Sequence, residues 1–183
     1  DSGAGIITES VLRDSFPSWN AQANLPMDIN ALQAPPETLS IDQVYLEIGR
    51  ARPRLRLSQY TTAFDLDQIG YFTAMGGAEE DWAGLQRESL ETIASETENF
   101  RYYLAPGSMH CILNYDFMFT RSLRDIPFIQ WLETLVLGEN APETVACEGE
   151  ECFMDPVCEA CLESGGPGCN FCRGWPERHR REE

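Results

Sequence analysis

Residues 54–68 read RLRLSQYTTAFDLDQ, a β-favouring run that leads directly into the start of a helix. Tyr60 and the Thr61-Thr62 pair favour a strand over residues 54–62, because aromatic and β-branched side chains fit a pleated surface. A helix is predicted immediately afterwards, over residues 66–74. A strand followed at once by a helix is the unit from which layered α/β folds are built.

The same alternation continues on both sides of this stretch. Residues 40–43, Ser-Ile-Asp-Gln, form a capping-box pattern, which predicts a helix that begins there and ends near Gly49. Further helices are predicted over residues 79–98 and 125–137, and a further strand over residues 100–104. Strands that alternate with helices indicate a parallel α/β sheet.

Two of these helices carry a burial prediction. The helix over residues 79–98 is acidic on one side, and we expect the following apolar side chains to face inward: Trp82, Leu85, Leu90 and Ile93. The helix over residues 125–137 is apolar nearly all round, which predicts that it is buried.

Composition limits the classes of function. The chain has 183 residues with a formal net charge of −17, and all 13 of its basic residues are arginine. So negative a chain repels phosphate, which argues against nucleic acid as a partner. No apolar run approaches the roughly 20 residues of a membrane span. The chain begins at Asp1 without an initiator methionine, so we expect that a leader was removed or that a longer protein contains it.

The character of the sequence changes at Gly138. Residues 138–172 carry eight acidic residues and no basic one, are rich in glycine and proline and lack helical or strand periodicity. This predicts that residues 138–183 form an appendage held by its cysteines. The clustered cysteines fit a disulfide framework formed in an oxidising compartment. Two Cys-x-x-Cys pairs also fit a small zinc site, so that alternative stays open. The cluster comprises Cys147, Cys152, Cys158, Cys161, Cys169 and Cys172.

Candidate chemistry lies where the predicted strands end, because working residues of parallel α/β sheets lie beyond the carboxyl ends of the strands. Asp65 and Asp67 follow the strand over residues 54–62, and His110 follows the strand over residues 100–104. The other histidine, His179, lies in the charged tail, so His110 is the candidate general base. An acid followed by a histidine is the chain order of the second half of an α/β-hydrolase triad.

A non-catalytic interpretation stays open for each of these residues. Asp65 could simply cap the helix that follows it, and a lone histidine in a loop is commonly structural. The nucleophile is missing from the pattern, since no Gly-x-Ser-x-Gly occurs in the chain. Ser2, Ser108 and Cys111 are weak candidates, because none has the setting of an attacking group.

Three blocks together resemble the pectin acetylesterase family, which includes the Notum-like carboxylesterases. They are Asp1-Ser2-Gly3-Ala4-Gly5, then Tyr60-Thr61-Thr62-Ala63-Phe64-Asp65 with Gln68, and then residues 103–110, which read YLAPGSMH. Residues 126–132, IPFIQWL, also resemble the helix that follows the histidine in bacterial members. The blocks cover residues 1–137 with gaps.

The resemblance implies that residues 1–137 are the C-terminal part of an α/β-hydrolase domain. By motif, Asp65 corresponds to the triad aspartate and His110 to the triad histidine, while Asp67 does not match and is the runner-up. The family's serine nucleophile and oxyanion-hole donors lie upstream of the first block, so they would precede residue 1, and this chain would be inactive without that part.

The family also implies an activity, a substrate class and a location. Its members remove acyl groups, commonly acetyl esters of polysaccharides, without a cofactor, and we expect this protein to be secreted. The alternative is a non-catalytic extracellular binding module organised by the cysteine-rich tail.

Overall fold

The computed structural model of the protein describes residues 5–35, 38–113 and 116–164. Within these ranges the chain is a mixed α/β fold, in which helices flank a small parallel sheet. The helices are α1 (Glu9–Ser15), α2 (Ile41–Ala51), α3 (Leu66–Ala74), α4 (Trp82–Glu96), α5 (Phe117–Thr120), α6 (Phe128–Leu137) and α7 (Pro156–Ser164). The strands are β1 (Leu57–Thr62), β2 (Phe100–Ala105), β3 (Ser122–Leu123), β4 (Ile126–Pro127) and β5 (Val145–Ala146).

The main sheet has the strand order β1-β2-β5, and all of its pairings are parallel. β1 and β2 pair along their whole length, with Tyr60 opposite Tyr103. The short β5 extends the sheet, with Val145 opposite Tyr103. The predicted parallel α/β arrangement is therefore confirmed, and the carboxyl ends of β1 and β2 lie side by side.

The core fills both faces of this sheet. On one face the Tyr103 ring packs edge-on against Phe128 and Trp131 of α6, with ring centroids 5.4 and 5.7 Å away. α2 and α4 pack against each other, and α4 packs on β2. Because each aromatic side chain buries a large area, this cluster ties α6 and β2 together.

The predicted helix boundaries differ in accuracy. The helix over residues 66–74 is confirmed at both ends, and the helix predicted from residue 40 does begin there, with Ser40 Oγ accepting the Gln43 N–H. The other two helices are shorter than predicted. Residues 79–81 form a 3₁₀ turn before α4, and residues 126–127 form the hairpin strand β4 before α6.

Two burial predictions are wrong. Leu85 is exposed, and Gln86 is buried in its place, where its amide donates to the Thr61 hydroxyl. α6 is buried on one face only, since Val136 and Leu137 lie in solvent. Apolar composition therefore overstated how much of α6 the sheet covers.

The prediction that residues 138–172 lack regular structure is wrong for the described part. β5 joins the main sheet, and α7 follows a 3₁₀ turn over Gly149–Phe153. The division into residues 1–137 and 138–183 stays a prediction, but the described part of the second segment shares the sheet of the first.

The described cysteines favour disulfide chemistry. Cys147 is bonded to Cys152, and Cys158 is disulfide-bonded as well. The predicted zinc alternative depends on residues 169 and 172, which lie outside the described residues. Within the described ranges, no group of three or more metal-ligating side chains comes together. None of the helices in those ranges is long and apolar enough to cross a membrane.

Candidate active site

Two neighbouring loops at the carboxyl ends of β1 and β2 bring the candidate acid and base together. The loops are bonded to each other through their backbones, with Phe64 N–H donating to the Gly107 carbonyl at 3.0 Å and Leu66 N–H donating to the Ser108 carbonyl at 3.2 Å. This ladder continues the parallel pairing of the strands beyond their ends. Residues 65 and 110, far apart in sequence, therefore face each other.

The two side chains are in direct contact. His110 Nδ1 lies 2.9 Å from Asp65 Oδ2 and 3.0 Å from Oδ1. An ionised carboxylate can only accept a hydrogen bond, so Nδ1 donates and Nε2 is left as the basic nitrogen. The Asp65 side chain is fully buried, whereas the His110 side chain is 30 % exposed. The pair therefore has one end in the core and one end at the surface.

Asp65 also caps α3. Its Oδ1 accepts the Gln68 N–H at 3.0 Å, which satisfies one of the free amides at the helix start. Burial raises the pKa of the Asp65 carboxyl above its ordinary value, while the Gln68 N–H and the His110 ring lower it by less. The capping interpretation and the acid–base interpretation of Asp65 thus describe the same carboxylate.

The other candidates lie elsewhere. Asp67 is exposed in the first turn of α3, and no described contact joins it to His110. Ser108 is buried, and its hydroxyl donates to Asp155 rather than to the histidine. Cys111 is a free thiol of intermediate exposure. Ser2 lies outside the described residues.

The turn before His110 depends on its glycine. Gly107 has φ +89°, a left-handed conformation in which a side chain is strained. A Cβ on this residue would lie 2.8 Å from Asp155 Cγ, which is too close for any real contact. The turn therefore packs directly on the Asp155 carboxylate.

Asp155 was not predicted as a site residue from the sequence. Its side chain is only 2 % exposed and accepts the Ser108 N–H at 2.8 Å. The available signal was the pair Asp155-Pro156, because Asp at the N-cap followed by Pro at the first helical position is typical of a helix start. That pattern predicts the start of α7 but not the contact of Asp155 with the 107–108 turn.

Comparison of the chain with protein-family models, with curated proteins and with solved structures found no match. The geometry of the site therefore carries the functional argument.

Proposed function

We propose that Asp65 and His110 are the acid and the base of a serine carboxylesterase, in a chain that forms part of an α/β-hydrolase. The observation that carries this proposal is the contact of His110 Nδ1 with a fully buried carboxylate beyond the ends of two parallel strands. The blocks at residues 60–68 and 103–110, which resemble the pectin acetylesterase family, support the same assignment. An acetylated polysaccharide is the proposed substrate, and secretion the proposed location.

The proposed reaction needs a serine from another part of the protein, which we place upstream of this chain. His110 Nε2 takes the serine proton as the oxygen attacks the ester carbonyl, and then gives that proton to the departing alcohol. Asp65 holds the ring in the Nδ1–H tautomer and stabilises the imidazolium that forms. Water then releases the acyl group as the free acid by the same proton transfers.

The position of the base fits this chemistry. No described residue makes a hydrogen bond to His110 Nε2, and the side chain is 30 % exposed, which supports contact of the ring with a substrate. The buried carboxylate has little competing hydration, which strengthens its interaction with a positive ring. A general base must come within hydrogen-bond reach of the proton that it takes, and a partly exposed His110 side chain fits this requirement.

The test uses the full natural protein and an unactivated sugar acetate, because imidazole alone hydrolyses activated esters. We expect His110→Ala to lower acetate release by a factor on the order of 10²–10⁴. Asp67→Asn is the matched control for the neighbouring loop and should keep the activity of the natural protein. Equal acetate release from His110→Ala and the natural protein would exclude the proposed role.

A further inference from the structure

The turn that carries His110 is bonded on its far side to the cysteine-rich segment. Gly107 N–H donates to the Cys152 carbonyl at 3.0 Å, and Ser108 N–H donates to Asp155 Oδ2 at 2.8 Å. The carbonyls of the same two residues accept from the loop that carries Asp65. The 107–108 turn is thus held between the loop that carries Asp65 and residues 152–155.

Asp155 uses both of its carboxylate oxygens. Oδ2 accepts hydrogen bonds from the N–H and the hydroxyl of Ser108. Oδ1 accepts the Cys158 N–H at 3.1 Å and so caps the start of α7. No described cation forms an ion pair with it. A buried carboxylate without a cation is costly unless hydrogen bonds satisfy it.

Helix capping alone does not require this charge. A neutral serine or asparagine caps a helix about as well as aspartate does, and one acceptor oxygen is enough. The second oxygen at position 155 is engaged entirely by Ser108, two residues before His110. The close approach of Gly107 to the same carboxylate shows that the turn is packed on this group.

We propose that Asp155 is a positioning residue for His110, which fixes the 107–108 turn and so holds the imidazole against Asp65. Its catalytic meaning rests on the proposed function. Displacement of a reacting group by about 1 Å can cost a factor on the order of 10² in rate. The described part of the cysteine-rich segment is accordingly a part of the active-site architecture and not a separate module.

The first test is Asp155→Asn in the full natural protein. One acceptor oxygen becomes an NH₂ group, so the turn and α7 can no longer both be satisfied by this side chain. We expect the rate constant kcat for acetate release to fall by a factor on the order of 10² while KM stays within about twofold. Glu159→Gln is the matched control, since it makes the same change from acid to amide on the exposed side of α7.

The second readout is the NMR signal of His110, which needs no substrate. Its ring signals are assigned by their absence from the spectrum of His110→Ala. Asp155→Asn should shift the His110 ring resonances and speed solvent exchange of the Nδ1 proton, whereas Glu159→Gln should leave both unchanged. A folded Asp155→Asn protein with unaltered His110 resonances would overturn the proposal.

Two further outcomes are decisive. If Asp155→Asn does not fold, Ser108→Ala takes its place, because it removes one donor to Asp155 and leaves the cap of α7 intact. A shift of the His110 resonances then supports the proposal, and no shift overturns it. If His110→Ala keeps full activity, the proposed function fails, while the NMR result still decides whether Asp155 positions the ring.

Discussion

A single carboxylate at position 65 has a structural role in α3 and the proposed chemical role beside His110. Its Oδ1 caps α3, and both of its oxygens contact His110. Complete burial makes the charged form costly, which is why its pKa is raised. A buried charge of this kind lowers the free energy of unfolding and would be kept for the proposed chemistry.

Asp65→Asn should separate these two roles. Asparagine caps a helix as well as aspartate does but cannot stabilise an imidazolium, so we expect activity to fall by a factor on the order of 10⁴. Because the folded pKa is raised, the stabilising contribution of Asp65 is full below its unfolded pKa of about 3.9 and is lost as pH rises through the folded pKa. At pH 7 the variant should therefore be at least as stable as the natural protein.

Urea unfolding at several pH values measures this effect. The stability difference between Asp65→Asn and the natural protein should shrink as the pH falls toward 3. Asp67→Asn removes an exposed carboxylate from the same helix turn and is the control. A natural protein that is more stable than Asp65→Asn at pH 7, by more than the control difference, would contradict the argument.

Gly107 lies in the turn before His110, and Gly76 is a matched control for it elsewhere in the chain. Both have φ +89°, but a Cβ at Gly76 meets nothing within 4 Å, whereas a Cβ at Gly107 meets Asp155. Gly76→Ala should cost about 1–2 kcal/mol of unfolding free energy from backbone strain alone. Gly107→Ala should cost more and should also lower activity, because the turn must move away from Asp155.

Chemical denaturation and acetate release measure the two effects. The informative quantity is the difference between the alanine variants, since backbone strain is common to both. Equal losses of unfolding free energy would show that the contact of Gly107 with Asp155 carries no steric penalty.

The closeness of Asp65 and His110 could be predicted from sequence because each lies in a loop that follows a strand. Position after a strand is readable from local pattern, and the parallel pairing of β1 and β2 then brings the loops that carry these residues together. Asp155 could not be predicted this way. Its contact with Ser108 depends on how β5 and the turn after it return to the sheet, and β5 has only two residues. So short a strand leaves no periodic signal.

At the scale of elements, α6 shows how burial follows geometry and not composition. Phe128, Trp131 and Leu135 lie three or four residues apart and face the sheet, while Leu137 points into solvent. Apolar residues surround the helix in sequence, but the sheet covers only one side of it. In α4 the inward position belongs to Gln86 and not to the apolar Leu85, because the Thr61 hydroxyl accepts a hydrogen bond from the Gln86 amide.

Leu135 and Leu137 in α6 test this directly. Leu135 is 8 % exposed and Leu137 is 75 % exposed. Leu135→Ala should lower the free energy of unfolding by about 2–5 kcal/mol, whereas Leu137→Ala should change it by no more than about 0.5 kcal/mol. Urea denaturation of the two variants gives both values. Similar losses would mean that Leu137 is buried in solution.

For the whole molecule, charge balance sets the response to salt. The chain has 30 acidic and 13 basic side chains, so 17 carboxylates have no matching positive charge. The described ion pairs between arginine and acidic side chains lie at the surface, where each contributes little. We therefore expect repulsion among carboxylates to be the largest long-range electrostatic contribution to the free energy of unfolding.

Added salt should stabilise the fold. Raising sodium chloride from about 0.05 M to about 0.5 M shortens the screening length from roughly 14 Å to roughly 4 Å, and we expect the free energy of unfolding to rise by about 1 kcal/mol. Thermal unfolding at the two concentrations measures it. Chloride is the suitable anion, because sulfate stabilises proteins by exclusion from their surface. A lower melting temperature at high chloride would mean that favourable ion pairs dominate instead.

The contact between the 107–108 turn and Asp155 has a consequence for the order in which the site can form during synthesis. The ribosome releases Asp65 and His110 well before Cys152 and Asp155, and chains begin to fold from the N-terminal side. Until residue 155 has emerged, the amides of Gly107 and Ser108 do not have both of their acceptors from the later segment. The pair of residues that would move the proton is thus encoded early but is fully supported only once the later segment has been made.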